Sequence, residues 1–407
     1  MNTLDIAWLI ASVLPAGAWL YLLTCRGGFW RADQKLPEVP NPDTQNRERD
    51  DWPEIVVVVP ARNEADVIGR ALTSLLHQDY PNPPLIVLVD DRSEDGTASA
   101  ARAAAAQAAA AQIPLGENHE RLALVSGQPR PKRWAGKVWA MTQGVAHAAD
   151  IRPNAKYILF ADADIEHHPA NLRELVTKAE STRLDLVSLM VRLATESAWE
   201  RFLIPPFVFF FAKLYPFAWV NDPANATAAA AGGCMLVRRT ALDASGGLAA
   251  IHNALIDDCA LARTIRDGAP GGGRLWLGYS EKTRSIRPYD GLRGVWDMVA
   301  RGAFTQLGHS PLLLGGTVLG MAMLYLAPPV CLFWGFAHSA LGVAASALAW
   351  ACMTIAAAPT YRLYGQSWRR AMGLPVAAAF FTAMTVSSAW RYWRGRGGGW
   401  KGRTYSQ

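Results

Sequence analysis

The chain has 407 residues, 51% of them apolar and 18% charged, with a formal net charge of +6 and a mean hydropathy of +0.06. This length allows two or three domain-sized units, and the apolar content excludes a disordered chain. The near-zero mean hides a split: the middle is rich in charge, while both ends carry long uncharged stretches, which argues against an ordinary soluble enzyme.

The basic residues gather beside the apolar runs, most clearly Arg391, Arg394, Arg396, Lys401 and Arg403. That placement suits a surface of anionic lipid headgroups. There is no zinc-finger spacing and no basic stripe with interleaved aromatics, so no nucleic-acid partner is expected. The five cysteines are scattered, with no CxxC, which points to a reducing, cytosolic setting.

In chain order, Ile6 to Cys25 is an uncharged run of span length. Its flank MNTLD lacks the positive charge of a signal peptide, so an uncleaved anchor is expected. Arg26, Arg31 and Lys35 follow it, and the positive-inside rule then puts the next region in the cytoplasm. Residues 27–53 read as a polar, proline-bearing linker. Strand–helix alternation begins at Ile55–Val59, a buried strand. A helix capped by Asn63 follows, with Val67, Ile68, Leu72, Leu75 and Leu76 as its apolar stripe. Leu85–Asp90, Leu122–Ser126 and Tyr157–Asp162 are further strands, separated by an alanine-rich helix over 94–112 and a helix over 136–149. This alternation predicts an α/β fold with a mostly parallel sheet. Such sheets bind ligands at the carboxyl ends of their strands.

Four clusters fall at such ends. Pro60-Ala61-Arg62-Asn63-Glu64 follows the first strand, and Asp90-Asp91-Arg92-Ser93-Glu94-Asp95-Gly96-Thr97 follows the second. Either alone reads as a turn or a cap, but neighbouring strand ends face one crevice, where a carboxylate can accept hydrogen bonds from a base N–H or ribose hydroxyls. Asp162-Ala163-Asp164 ends the fourth strand. Strand alternation would point its two carboxylates the same way, a pattern suited to a hard divalent ion that also takes phosphates and water. Asp257-Asp258 opens a helix, where acids stabilise the first turn or act as a general base.

Between the last two clusters, Trp199 to Val220 combines aromatics with Arg201 and Lys213, a composition suited to the membrane interface. After residue 310, the uncharged stretch Pro311–Ala358 allows two spans with a turn near Phe336–Ser339, kinked at Pro328-Pro329. Ala371–Trp390 is another span-length run. One span before the middle region and three after it would put a basic C-terminus outside, so one of the C-terminal segments is expected to be re-entrant or interfacial.

The segments VVVPARNEADVIGRALTSLLHQDYP, VDDRSEDGTA, WAGKVWA, FADADIEHHP, AGGCMLVRR and IDDCALA, in that order, resemble membrane-anchored glycosyltransferases of family 2, with a GT-A fold. With the closing GGGWKGRTY, the chain looks most like the hopanoid-biosynthesis-associated members. The resemblance implies a Rossmann-like catalytic domain over 54–310, with an interfacial segment at 199–220. Around it lie an anchor at 1–26, a linker at 27–53, a transmembrane region at 311–393 and a basic tail at 394–407. It further implies donor-binding roles for Pro60, Arg62, Glu64, Asp91, Ser93, Lys137 and Asp162, and a divalent metal, Mg2+ or Mn2+, on Asp164 and Asp162. Asp258 matches the catalytic base, beside Asp257 where the family has Glu.

Arg301 and Gln306 stand where many relatives carry a Gln/Arg-x-x-Arg-Trp motif, and the Arg-Trp pair is absent, which argues for addition of one sugar. Trp400, Lys401 and Arg403 are candidates for gating or headgroup contact. The expected activity is inverting transfer of a sugar from a nucleotide sugar, UDP-linked by resemblance, to a membrane lipid in hopanoid biosynthesis. The expected place is a bacterial-type inner membrane, multi-pass, with the catalytic domain facing the cytoplasm. The competing readings are a ceramide- or polyprenyl-phosphate-type transferase, a processive polysaccharide synthase and a non-catalytic scaffold.

Overall fold

The computed structural model describes residues 3–39, 52–110, 121–268, 271–334, 339–400 and 403–404. The expected turn at Phe336–Ser339 and tail residue Lys401 lie wholly or largely outside these, as does much of the 27–53 linker.

The apolar runs become an eight-stranded sheet in the order β3-β2-β1-β4-β7-β6-β8-β5. The strands are β1 Ile55–Ala61, β2 Leu85–Asp90, β3 Leu122–Ser126, β4 Tyr157–Ala161, β5 Ile165–Glu166, β6 Leu186–Arg192, β7 Cys234–Arg238 and β8 Leu275–Ser285. β1 pairs in parallel with β2 and β4, and β2 with β3. β7 runs antiparallel between β4 and β6, so the sheet is mixed. Every residue of β1 is buried, which explains its unbroken run of apolar side chains. Val56 and Val58 face one core, with the helix Gly136–Ile151 and with Leu203 and Val208. Ile55, Val57 and Val59 face the other, with the helices Ala65–Leu76 and Asn171–Ser181. Gly144 lets the helix Gly136–Ile151 lie directly on the sheet, since a Cβ there would stand 2.5 Å from Val58 Cγ1.

Local chemistry corrects several expectations. Asn63 is not a helix cap: its φ is +51°, and its Oδ1 accepts from the Glu94 backbone instead, at 3.0 Å. Glu64 occupies the cap position of Ala65–Leu76. The alanine-rich helix begins at Thr97 rather than at residue 94, because the Asp90 and Asp95 carboxylates hold the preceding loop by accepting from the Ser93 and Thr97 backbone N–H groups. The part of the linker that is described is no free tether. Lys35 bridges Tyr279 on β8 and Tyr279 N donates to Gln34 O at 2.7 Å.

The segment expected at the membrane interface is the helix Ala198–Leu214. Ser197 and Glu200 form a capping box at its start. Its buried side holds Leu203, Ile204, Val208, Phe209 and Ala212, so it is wedged against the sheet domain rather than lying free on a surface.

Among the described residues, four helices are long and apolar enough to cross a membrane: Asp5–Cys25, Pro311–Trp334, Ala340–Leu363 and Trp368–Trp393. The second contains a π segment, Ala322–Leu326. Pro328 and Pro329 have no N–H, so the Leu324 carbonyl lacks both its α and π donors. The Trp19 indole fills that vacancy, donating to Leu324 O at 2.9 Å. The fourth helix is tied to the sheet domain at both ends. Before it, Leu193 N donates to the Tyr364 hydroxyl at 3.3 Å. At its far end Arg391 pairs with Asp297 at 2.7 Å. Beyond it, Gly399–Trp400 pairs antiparallel with Arg403–Thr404.

Candidate active site

The carboxyl ends of β1 and β2 are stitched into one platform. Ser93 Oγ accepts from Asn63 N at 2.9 Å, and Thr97 Oγ1 accepts from Glu64 N at 2.8 Å. Asp95 Oδ2 accepts from Ala65 N at 3.0 Å. The buried Arg62 guanidinium donates to the carbonyls of Asp91 and Arg92, at 2.6 and 2.8 Å. Arg62 and Ser93 thus shape the platform. Asp91 is fully buried beneath it.

Next to this platform lies a cavity of about 750 Å3. Pro60, Glu64, Lys137, Asp162, Asp164, Asp257, Asp258, Arg301 and Trp400 all contribute to its wall. The cavity therefore gathers both acid pairs, the lysine and two residues of the tail, Gly399 and Trp400, and leaves Arg62, Asp91 and Ser93 behind it. The side chain of Arg403 is outside the described residues.

Lys137, at the start of the helix Gly136–Ile151, is the hub. Its ammonium lies 2.9 Å from Asp162 Oδ1 and 3.1 Å from Asp257 Oδ2. Burial works against its charge, but the carboxylates of Asp162 and Asp257 outweigh it and hold its pKa above the ordinary lysine value. Asp258, one residue on, accepts backbone N–H bonds from Gly232 at 2.9 Å and Cys259 at 2.7 Å. Burial pushes its pKa up, the Asp257 charge adds to that, and Lys137 and the two N–H groups pull back, leaving it at about 6. A carboxylate near that value is ionised at neutral pH and still basic enough to take a proton.

Asp162 and Asp164 do not alternate along a strand as expected. β4 ends at Ala161 and both acids sit in the turn before β5, so each meets its own cation. Asp164 Oδ2 accepts from Arg287 Nε at 2.8 Å, and the same guanidinium bonds the Glu64 carboxylate. Arg287 was not foreseen. It sits in Ser285-Ile286-Arg287-Pro288 directly after β8, and a basic residue at a strand end beside the crevice was its only signal. Glu200 was also missed. Besides capping its own helix it accepts from Tyr289 N at 2.7 Å, fixing the loop that carries Arg287. Burial opposes its charge, but three backbone donors hold its pKa below the ordinary glutamate value.

A second cavity, of about 600 Å3, meets the first. Lys137, Asp162, Asp257 and Asp258 belong to both walls. The rest of the second wall is mostly apolar: Phe210 and Phe211 on one side, Val299 and Ala303 on another, and Met321, Leu324 and Phe381 from the long apolar helices. Gln306 belongs to this wall and donates to the Tyr215 hydroxyl at 2.6 Å.

Residues 56–246 match the family model described as Glycosyl transferase family 2. Among curated proteins, the chain is similar to a 4,4'-diaponeurosporenoate glycosyltransferase of Staphylococcus aureus. The two are 30% identical over 111 residues, 27% of this chain and 24% of that protein. The match thus spans about a quarter of that relative's length. Among solved structures, it is similar to the mannosyltransferase PcManGT from Pyrobaculum calidifontis, solved in complex with GDP-Man and Mn2+. That likeness has a TM-score of 0.53 at 21% identity and covers 95% of this chain and 97% of the other. The fold is accordingly GT-A, a mixed and mostly parallel sheet with helices, with apolar helices at both ends of the chain.

Proposed function

We propose that this protein transfers a single sugar, with inversion, from a nucleotide sugar to a membrane lipid. One observation carries the reading: a polar cavity with Lys137 and the Asp162/Asp164 turn and an apolar cavity reaching the long helices share the wall that holds Asp257 and Asp258. A charged donor and a lipid acceptor can therefore meet at one carboxylate pair. The family match and the GDP-Man complex of PcManGT support a nucleotide-sugar donor. The name of the Staphylococcus aureus relative supports a lipid acceptor. A UDP-linked donor and an acceptor of the hopanoid class rest on the sequence resemblance.

A divalent ion fits the donor set. Asp164 and Asp162 supply hard oxygen ligands, and no group of three metal-ligating side chains converges among the described residues. The remaining ligands would then be donor phosphates and water. When bound, such an ion neutralises charge on the diphosphate leaving group. The chain's own residues account for the rest. Lys137 places a fixed cation beside the same oxygens, where stabilisation of developing charge is strongest. Asp258 takes the proton from the acceptor hydroxyl as its oxygen attacks the anomeric carbon. The bond from that carbon to the diphosphate breaks on the opposite face, which inverts the centre. Asp257, locked to Lys137, keeps the ammonium and Asp258 in register.

We also propose a membrane arrangement, which contacts at the ends of the last apolar helix support. Helices Asp5–Cys25, Pro311–Trp334 and Ala340–Leu363 cross the bilayer, while Trp368–Trp393 lies along the interface, because both its ends are bonded to the sheet domain. Its exposed Trp368, Trp390 and Trp393 suit that level. The basic segments 362–370 and 391–396 then share the cytoplasmic side with Arg26 and the catalytic domain. The protein in this reading belongs to a bacterial-type inner membrane.

The test is incubation of purified full-length protein with labelled nucleotide sugars and a bacterial lipid extract. One labelled lipid product is expected, formed by the native chain and lost in Asp258→Asn, with donor binding kept. A chain that binds no nucleotide sugar would refute the reading.

A further inference from the structure

The apolar cavity contains a charge that the transfer chemistry does not use. Lys213, in the last turn of the helix Ala198–Leu214, lines it together with Phe210, Leu214 and Leu324. Among the described residues, no carboxylate pairs with this ammonium. Its one hydrogen bond is to the Tyr325 hydroxyl, at 2.8 Å. It also lies over the rings of Tyr325, 4.8 Å from the centroid, and of Phe210, at 5.4 Å. Those rings compensate part of the lost hydration, and two of its three N–H donors remain for a ligand.

A lysine that served only the helix C-terminus would reach water, where a macrodipole contact is worth a few tenths of a kcal/mol. This one lies half-buried in the cavity wall instead. The neighbouring Arg26 adds positive charge rather than cancelling it, since its guanidinium bonds the Lys213 and Leu214 carbonyls, at 3.2 and 3.4 Å. Burial, and then Arg26, lower the Lys213 pKa to about 8, which leaves it cationic at neutral pH. Tyr325 belongs to the π segment Ala322–Leu326, a distortion common at functional sites. A half-buried ammonium in the wall of an apolar cavity, paired with no carboxylate among the described residues, is a mark of ligand binding.

We propose that Lys213, positioned by its bond to the buried Tyr325 hydroxyl, binds the oxyanion of an acidic lipid whose hydrocarbon body fills the apolar cavity. Asp258 sits elsewhere on the wall of that cavity, so the anion and the acid pair bracket one occupant. This deepens the acceptor reading and rests on it in taking the occupant as substrate.

The test measures binding to full-length protein in neutral maltoside micelles by isothermal titration. The probes are dodecyl phosphate, dodecanol and inorganic phosphate, with UDP titrated in parallel. Dodecyl phosphate should bind at least tenfold more tightly than either other probe. Lys213→Met should remove that margin and Lys213→Arg should keep it, with UDP affinity unchanged in both. If Lys213→Met does not fold, Tyr325→Phe replaces it, with a weaker margin expected. Equal affinity for dodecyl phosphate and dodecanol would overturn the proposal, as would a margin that survives Lys213→Met. Inorganic phosphate binding as tightly as its dodecyl ester would also overturn it, as a bare anion site. Absence of UDP binding with the dodecyl phosphate margin intact would remove the UDP-linked donor and leave this proposal standing.

Discussion

The protonation of Asp258 is set by two neighbours of opposite sign, so two substitutions should move the acid limb of the pH–rate profile in opposite directions. In the native chain, kcat/KM should fall tenfold per pH unit below about 6, where Asp258 becomes protonated. Lys137→Met removes the cation that favours the charged form. A Cβ at Gly232 would stand 3.2 Å from Lys137 Nζ and 3.3 Å from Asp258 Oδ2, so the two charges are no farther apart than the sum of those distances. At about 6.5 Å and an effective dielectric of about 20, the lost attraction is about 2.5 kcal/mol, or about two pH units. The limb should therefore rise to about pH 8. Asp257→Asn removes a like charge, and its limb should fall below the native one. The position of the limb is the readout, because Lys137→Met also weakens the grip on the diphosphate and lowers the rate at every pH. Limbs that stay in place, or move the same way, would refute the assignment of Asp258 as base.

The same shift has a consequence for stability. A carboxylate whose folded pKa is raised opposes folding when ionised. The penalty is absent below the unfolded value of 3.8 and fully present above about 6. A shift of that size corresponds to about 3 kcal/mol. Asp258→Asn should therefore raise the melting temperature at pH 7 by several degrees while abolishing transfer. Calorimetry at pH 4 and pH 7 checks this, since the gain should vanish at the lower pH.

Other outcomes follow from single contacts. Gly232→Ala should lower kcat at least tenfold with little change in melting temperature, because its Cβ would press on Lys137 and Asp258 rather than on the core. Arg287→Met should destabilise the fold by about 1–3 kcal/mol, since it strips Asp164 and the buried Glu64 of their shared cation; chemical denaturation measures it, and Arg287→Lys should be intermediate. Gly144→Ala should destabilise by about 1–3 kcal/mol as its methyl meets Val58, again read by denaturation. In intact cells, a cysteine at Ser339 should react with an impermeant maleimide and one at Arg396 should not; the reverse pattern would refute the three-span arrangement.

The parts of this protein that local sequence could show are those fixed by runs and strand ends. The β1 run Ile55–Val59, the platform of Arg62 to Thr97 and the Asp257-Asp258 helix start are local, and the first two lie at the strand and strand ends that the alternation predicted. What was not legible depended on partners distant in the chain. The two acids of Asp162-Ala163-Asp164 looked like neighbours on one strand face. They lie in a turn whose cations come from Lys137 and Arg287, one upstream and one downstream. Asn63 has the residue type of a helix cap, but the adjacent loop offered it the Glu94 N–H.

The least legible element is the last apolar helix, whose hydropathy suits a span as well as the interfacial placement proposed above. Length and composition are the same for a helix that crosses a bilayer and one that lies on it, and only the contacts at its ends differ. Tyr364 accepts from Leu193, just after β6, at one end, and Arg391 reaches Asp297 at the other. A crossing helix would carry one of these pairs to the far side of the bilayer, away from its partner. The same geometry puts Trp400 in the wall of the polar cavity. The charged middle and apolar ends are thus interleaved: the ends supply one wall of the second cavity, and the tail closes part of the first.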